Sequence, residues 1–217
     1  MRPIPASRFF ALALVVALLA VAWFAGKRGL AEVVAQEPRY EIERWRSGKL
    51  TPDKLRIDGI EAALNKARNL DPQNPSLMEE IAIFRVMRAD SRYSRDPDAR
   101  DARRQSLTEF RQALDQRPTS GAAWFSLALM KFRLGEIDRE FSQALQQVLR
   151  RARWEPKLQL SAIELGLAGW QGLTDPSREA LKQAVQAQAR WPLVKQKPAL
   201  QTLLNRYGRA DLNSLLD

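Results

Sequence analysis

The chain has 217 residues, carries 35 lysines and arginines against 25 acidic residues, and contains neither cysteine nor histidine. The absence of these two residue types excludes disulfides, thiol nucleophiles, histidine general bases and the usual zinc, copper and haem ligands. The length is sufficient for one soluble domain of ordinary size behind an N-terminal segment.

The N-terminal segment carries an unbroken run of seventeen apolar residues at 9–25. A helix over this run rises about 25 Å, which is at the short end for crossing hydrocarbon about 30 Å thick. We therefore predict a basic tail at 1–8, a transmembrane anchor at 9–25 and a juxtamembrane linker at 26–36. Two alternatives stay open, namely a signal peptide cleaved near Ala20 to Ala22 and a buried core helix.

Basic residues lie on both sides of the anchor, so charge counting alone does not fix its orientation. A short basic tail before an apolar segment is typical of a targeting signal, and long following domains cross membranes largely regardless of charge. We predict a single-pass protein of the bacterial inner membrane with its soluble domain in the periplasm. The opposite orientation stays open as an alternative.

The net charge of +10 raises the question of nucleic-acid binding. Four basic residues flank the anchor, and the excess in the remainder is spread out. The densest cluster is Arg150, Arg151 and Arg153 beside Trp154, and cations are favoured in the last turn of a helix. Since no recognised motif accompanies the charge, we do not predict nucleic-acid binding. Attraction to anionic lipid headgroups is a second interpretation of the cluster.

From Glu37 onward the sequence has almost no strand pattern, and prolines and glycines separate segments of helix length. Two passages match each other: ALNKARNLDPQNP at 63–75 and FRQALDQRP at 110–118. Each predicts an amphipathic helix that is stopped by proline and followed closely by another helix. The polar segment 89–105 between them has room for an insertion as a loop or helix extension.

This succession of paired helices resembles the tetratricopeptide repeat, a helix-turn-helix unit of about 34 residues. Trp124, Leu127 and Ala128 stand at the family's bulky, leucine and small positions, and Gly135 stands at its turn. We therefore expect Trp124 in the core at the centre of the domain. Ala67 and Ala113 are the small residues that stand five positions before the closing prolines. Small residues at these positions let two helices approach closely.

The sequence also departs from the repeat pattern. Glu140 stands where the family prefers alanine, and the helix after Gly135 is predicted to run to Pro156, beyond the standard length. The first repeat, 40–71, contains a longer turn at 48–53. Helix-start signals occur at Thr51-Pro52-Asp53 and Asp175-Pro176-Ser177.

Helical periodicity supports an all-α fold independently of the family. The segment 136–150 has one polar face, whereas 121–135 is apolar nearly all round and is therefore predicted to be the central helix. Further helices are predicted at 158–171, 177–188, 198–207 and 210–216. The helical segments number about nine in antiparallel pairs, and the resemblance implies an α-solenoid of hairpins over 37–156 with 157–217 as a helical cap.

Together with the anchor and the repeats, the C-terminal third is similar to VpsP-type proteins of bacterial exopolysaccharide gene clusters. The segments ELGLAGWQGLTDPSREAL and ARWP belong to this part of the chain. The resemblance implies a role in polysaccharide synthesis or export and assigns chemistry to no residue.

Searches for catalytic and metal-binding patterns give negative predictions. Asp96, Asp98 and Asp101 lack the glycine and glutamate of a calcium loop, and arginines interleave with them. No glycine-rich phosphate loop or nucleophile elbow is present. Carboxylates one or two residues apart on a helix do not face each other. We predict no enzyme activity, no catalytic residue, no metal site and no cofactor.

With no catalytic or metal-binding pattern in the sequence, we predict that the protein acts by binding other macromolecules through its surface. In the repeat family the first helix of each unit lines a groove, and the matching positions here are mainly apolar: Ile83, Met87, Phe125, Leu129, Phe132 and Arg133. Such a groove either receives a partner helix or extended segment or is filled by the chain's own C-terminal helices. We favour self-filling, because burial is the commoner fate of an apolar stripe.

The sequence thus predicts a non-enzymatic, membrane-anchored scaffold that binds proteins of an envelope or exopolysaccharide assembly; it specifies no oligomeric state. One alternative is a polysaccharide-binding or carbohydrate-active periplasmic protein, which would gain support if Trp154, Trp170 and Trp191 lined one exposed groove. Another is a cytoplasm-facing basic protein that binds anionic lipid or nucleic acid.

Overall fold

The computed structural model describes residues 6–91, 99–190 and 196–216. Over these ranges the chain is helical and contains no strand, which confirms the all-α fold class. The α-helices are α1 (Ala6–Arg46), α2 (Lys54–Leu70), α3 (Pro75–Ala89), α4 (Ala99–Gln116), α5 (Gly121–Arg133), α6 (Arg139–Arg151), α7 (Pro156–Ala168), α8 (Asp175–Ala189) and α9 (Lys197–Arg206). Two 3-10 segments lie at Trp170–Gly172 and Ala210–Leu216.

The helices divide into two compact units, one up to Glu80 and one from Ile81 onward, and the boundary falls within α3. The unit up to Glu80 is called the first unit, and the unit from Ile81 the second unit.

The long helix α1 begins the first unit. Its N-terminal part is long and apolar enough to cross a membrane, with a mean hydropathy of 2.2 over an 18-residue window, and none of that window is buried. Exposure of this window argues against the alternative of a buried core helix. The predicted juxtamembrane linker at 26–36 is helical and continuous with the anchor in α1.

The C-terminal half of α1 packs against α2. Ala31 and Ala35 of α1 form a buried cluster with Ala67 and Leu77, as expected where small side chains let helix backbones approach closely. Pro38 lies within α1 and is buried; its ring nitrogen has no hydrogen to donate to the preceding turn.

The turn between α1 and α2 follows the sequence signals. Gly48 adopts a φ of 72°, a region that favours glycine. The Asp53 side chain then caps α2 by accepting a hydrogen bond of 2.9 Å from the backbone N–H of Arg56. The helix start predicted at Thr51-Pro52-Asp53 is therefore confirmed.

In the second unit, neighbouring helices pack in chain order from α4 to α8, and α5 contacts α4, α6 and α7. This position agrees with the prediction that α5 is central. The helix α6 buries one face, including Phe141, Leu145 and Val148, and leaves Gln143 exposed on the other. The elements that follow α8 pack mainly against α7 and α8.

Three predicted features need correction. The helix α6 ends at Arg151 and does not run to Pro156, because the backbone turns after Ala152 and Pro156 instead begins α7. Residues 210–216 form a 3-10 segment, not an α-helix. Trp124 is only partly buried at the edge of the core, where its indole N–H donates to the carbonyl oxygen of Pro118 at 2.9 Å.

Candidate functional site

The residues predicted to line a groove lie in the second unit. The apolar side chains of Ile83, Met87, Phe125, Leu129 and Phe132 are all half-buried. The stripe on α5, which comprises Phe125, Leu129 and Phe132, packs against the core cluster of this unit.

Neighbouring helices account for part of this burial. The ring of Phe132 lies 6.3 Å from the ring of Phe141 on α6, measured between centroids. The C-terminal elements make their main contacts with α7 and α8. Among the described residues, part of each side chain of the α5 stripe therefore stays exposed.

Arg133, the charged member of the predicted groove, is exposed and forms an ion pair with Asp90 at 3.2 Å. Asp90 also pairs with Arg103 on α4, at 2.6 Å. This arrangement joins the ends of three helices, so Arg133 has a structural partner within its own unit.

A charged cluster lies at the C-terminal end of α5. Lys131 is only 3% exposed, and its Nζ lies 2.8 Å from Asp138, 2.9 Å from Glu140 and 3.3 Å from Glu136. Arg111 of α4 approaches Glu140 from the other side and donates two hydrogen bonds of 2.7 Å to its two carboxylate oxygens. The cluster thus ties three consecutive helices together.

These contacts shift the ionisation of the cluster. Hydrogen bonds from Arg111 and Lys131 outweigh partial burial and lower the pKa of Glu140 to about 2. Burial alone would lower the pKa of Lys131, but its hydrogen bonds with Asp138 and Glu140 prevail and raise it. A general acid or base needs a pKa near the working pH, so these groups serve structure better than proton transfer.

A second network fastens α1 within the first unit. Arg39 donates to Glu80 of α3 and to Glu32 of α1, and Glu32 also accepts a 2.9 Å hydrogen bond from Asn74. The hydrogen bond from Arg39 lowers the pKa of Glu32, whereas burial raises the pKa of Glu80. The network holds the C-terminal half of α1 against the segment that begins α3.

A cleft of about 580 Å³ is bounded by α6, α7 and α8 in the second unit. We call it the Trp154 cleft, and its described lining comprises two arginines, one tryptophan, three glutamines and four small or aliphatic residues. These are Leu149, Arg150, Arg153, Trp154, Gln159, Ala180, Gln183, Ala184, Ala187 and Gln188.

Trp154 is 73% exposed, and the guanidinium of Arg153 lies 6.0 Å from the centre of its ring. Trp170 is half-buried and lies under two other guanidinium groups, those of Arg209 at 4.0 Å and Arg178 at 5.7 Å. Trp191 lies outside the described residues. Of the two described tryptophans, Trp154 and Trp170, the structure places Trp154 in an exposed cleft.

Metal binding has no support from the described part of the chain, where no group of three acidic residues could hold an ion. Asp101 is exposed in the first turn of α4. Asp96 and Asp98 lie outside the described residues, so the predicted absence of a calcium site there stays a prediction.

Comparison of the chain with protein-family models, with curated proteins and with solved structures gave no match. The resemblances to tetratricopeptide repeats and to VpsP-type proteins therefore stay predictions from the sequence.

Sequence reasoning missed the Lys131 cluster and the Trp154 cleft. A signal for the first was present, because Lys131 interrupts an apolar helix and is followed by Glu136, Asp138 and Glu140. For the Trp154 cleft the sequence offers only the basic cluster beside Trp154, since the walls come from three helices, α6, α7 and α8.

Proposed function

We propose that this protein is a membrane-anchored helical scaffold that binds other macromolecules without catalysing a reaction. The observation that carries the proposal is α1, a single helix of 41 residues whose apolar N-terminal part is fully exposed while its C-terminal half packs into the first unit. An exposed apolar helix of this length requires a nonpolar environment, which a lipid bilayer supplies.

The proposed scaffold consists of hairpins like those of tetratricopeptide repeats over 37–156, followed by a helical cap at 157–217. Burial of the predicted small residues Ala67, Ala113 and Ala128 supports this arrangement, as does the φ of 76° at the predicted turn residue Gly135. The ion pairs of Glu140 account for its departure from the alanine preference of the repeat.

We place the anchor in a bacterial inner membrane and the helical units in the periplasm, with partners from an envelope or exopolysaccharide assembly. Anchoring confines the search for a partner to a layer near the membrane, so that modest contacts suffice. The half-buried stripe Phe125, Leu129 and Phe132 is the proposed contact surface, because aromatic side chains dominate the energetics of many interfaces.

Photocrosslinking in living cells tests the scaffold. A photoreactive phenylalanine analogue at Leu129 should give one reproducible adduct with another protein, whereas the same analogue at exposed Gln143 on α6 should not. Adducts of equal yield at both positions, or none at Leu129, would contradict the proposed surface.

A C-terminal reporter that is active only outside the cytoplasm tests the orientation. We expect activity. A well-expressed but inactive fusion would contradict the periplasmic location and favour the cytoplasm-facing alternative that binds anionic lipid or nucleic acid.

The exposure of Trp154 favours a second candidate function, the binding of polysaccharide. Aromatic rings exposed in a cleft offer an apolar face to the carbon–hydrogen face of a sugar. This candidate is compatible with the scaffold, because it uses a different surface of the second unit.

A further inference from the structure

The Trp154 cleft combines positive charge with the absence of a described internal counterion. Arg150 and Arg153 both line it and are exposed, and among the described residues neither has a carboxylate within 4 Å. Arg151, between them, instead donates to the Oε1 of Gln147 at 2.8 Å and is not part of the described lining. The two remaining guanidinium groups are placed to pair with an anion from outside the chain.

The cleft also presents a flat apolar surface. Trp154 follows the last turn of α6 and keeps 73% of its surface exposed although it is the largest side chain there. Exposure of a tryptophan to water is unfavourable, and its ring can stack on a flat ligand. Arg153, positioned 6.0 Å from the ring centre, brings a cation beside this surface.

Amide groups supply a third kind of contact. Gln159 is held in place because its Nε2 donates to the carbonyl oxygens of Leu149 at 3.1 Å and Val148 at 3.4 Å. Gln188 is only 2% exposed, and among the described residues its buried Oε1 has no hydrogen-bond partner. A buried acceptor without a donor is costly, and a ligand hydroxyl would satisfy it.

The wall formed by α8 leaves space for such a ligand. Ala180, Ala184 and Ala187 face the cleft at helical spacing, and the volume of about 580 Å³ lies within the range of small-molecule sites, about 300–1,000 Å³. A larger side chain at any of these positions would fill part of the cleft.

We propose that the Trp154 cleft binds an acidic saccharide, that is, a sugar ring bearing a carboxylate, either free or within a polymer. The carboxylate pairs with Arg150 and Arg153, the carbon–hydrogen face of the ring stacks on Trp154, and the hydroxyls bond with the amides of Gln159, Gln183 and Gln188. Three amides suit a ligand with many hydroxyls better than a nucleic acid, whose affinity comes mainly from phosphate contacts along a basic track. The inference rests on the second candidate function, the binding of polysaccharide, and not on the scaffold, whose contact surface is the α5 stripe.

Calorimetric titration of the full chain in non-ionic detergent micelles tests the proposal. The probe is hexagalacturonate, and the comparison ligands are maltohexaose, a thymidine hexanucleotide and glycerophosphoglycerol, the water-soluble headgroup of phosphatidylglycerol. We expect the acidic sugar to bind, the neutral sugar to bind at least about tenfold more weakly, and affinity for the acidic sugar to fall between about 50 mM and about 500 mM NaCl.

Variants then locate the site. Trp154→Ala and Arg153→Gln should each weaken binding of hexagalacturonate by about tenfold, since each removes a stacking or charge-assisted contact. Tyr40→Ala, which removes another exposed aromatic ring, and Arg139→Gln, which removes a charge at the opposite end of α6, should bind as the wild type does. Circular dichroism checks that each variant remains helical.

The proposal would be overturned by equal binding of the neutral and acidic sugars, by no detectable binding of hexagalacturonate, or by binding that Trp154→Ala leaves unchanged. Tighter binding of the hexanucleotide or of glycerophosphoglycerol, weakened by the same two cleft variants, would also overturn it and assign the cleft to nucleic acid or a lipid headgroup.

Discussion

Substitution Glu140→Gln removes the charge that joins Lys131 on α5 to Arg111 on α4 while keeping the size of the side chain. A fall in the pKa of Glu140 from 4.5 to about 2 corresponds to about 3.4 kcal/mol of favourable interaction, at about 1.36 kcal/mol per pKa unit. A third of the side chain is exposed, so water screens the interaction. We therefore expect the free energy of unfolding to fall by about 1.5–2 kcal/mol at pH 7.

The stabilisation that Glu140 provides depends on pH, and the direction of that dependence follows from its lowered pKa. Because the pKa of Glu140 is lower in the folded than in the unfolded chain, its contribution is complete above about pH 4.5 and is lost as the pH falls towards about 2. The difference in stability between the wild type and Glu140→Gln should accordingly be largest near pH 7 and shrink steadily below pH 4.5.

Urea unfolding of the full chain in non-ionic detergent, followed by circular dichroism, measures the effect. Urea is preferred to guanidinium chloride because a salt would screen the ion pairs. Glu179→Gln is the matched control, since Glu179 forms an exposed pair with Lys182 at 3.9 Å and should contribute less than about 0.5 kcal/mol. A loss for Glu140→Gln below about 0.5 kcal/mol at pH 7, or one that persists unchanged at pH 2, would refute the reasoning.

Two further predictions concern packing, and both are measured by the same denaturation. Gly121→Ala should lower the free energy of unfolding by about 1–2 kcal/mol, because the added Cβ would lie 2.8 Å from the Cβ of Ala152. Gly59→Ala is the control: its added Cβ meets no atom within 4 Å, so it should stabilise α2 by about 0.5–1 kcal/mol. Changes of the same sign for both variants would contradict the contact between Gly121 and Ala152. Trp124→Ala should cost about 2 kcal/mol, below the about 3–5 kcal/mol of a fully buried tryptophan, because its ring is half-buried and its indole N–H bonds to Pro118. Exposed Trp154→Ala should cost less than about 0.5 kcal/mol, and a larger loss there than at Trp124 would reverse the assignment.

Much of the helical architecture could be predicted because its signals are local. Each signal acts within a few residues of the feature that it determines: Pro52 and Asp53 begin α2, Gly135 forms the turn after α5, and the apolar spacing of α6 sets its buried face. The end of α6 was placed too late. Pro156 was interpreted as a helix stop, but proline is also well suited to the first turn of a helix, and here it begins α7.

The candidate sites were harder to predict, since they depend on contacts between distant segments. The cluster Arg150, Arg151 and Arg153 beside Trp154 was interpreted as the last turn of a helix. Arg150 and Arg151 do lie in the last turn of α6, whereas Arg153 and Trp154 follow it, and the cleft forms only when the alanines of α8 pack opposite them. Trp124 was expected in the core because the repeat pattern places a bulky residue there. Its position near the start of α5 instead leaves the ring at the edge of the core, half-covered.

The continuity of α1 has a mechanical consequence. Ala31, a fully buried residue that α1 contributes to the first unit, lies six residues after Ala25, and a helix covers that distance in about 9 Å. With the anchor in a bilayer as proposed, this places the α1 and α2 pair close to the headgroup layer, which adds about 5–8 Å to each side of the hydrocarbon. One continuous helix joins the anchor to the α1 and α2 pair, so tilting or rotating the anchor would turn this pair by the same angle. Because the tilt of the anchor depends on the thickness of the bilayer, lipid thickness would set the direction that the pair faces.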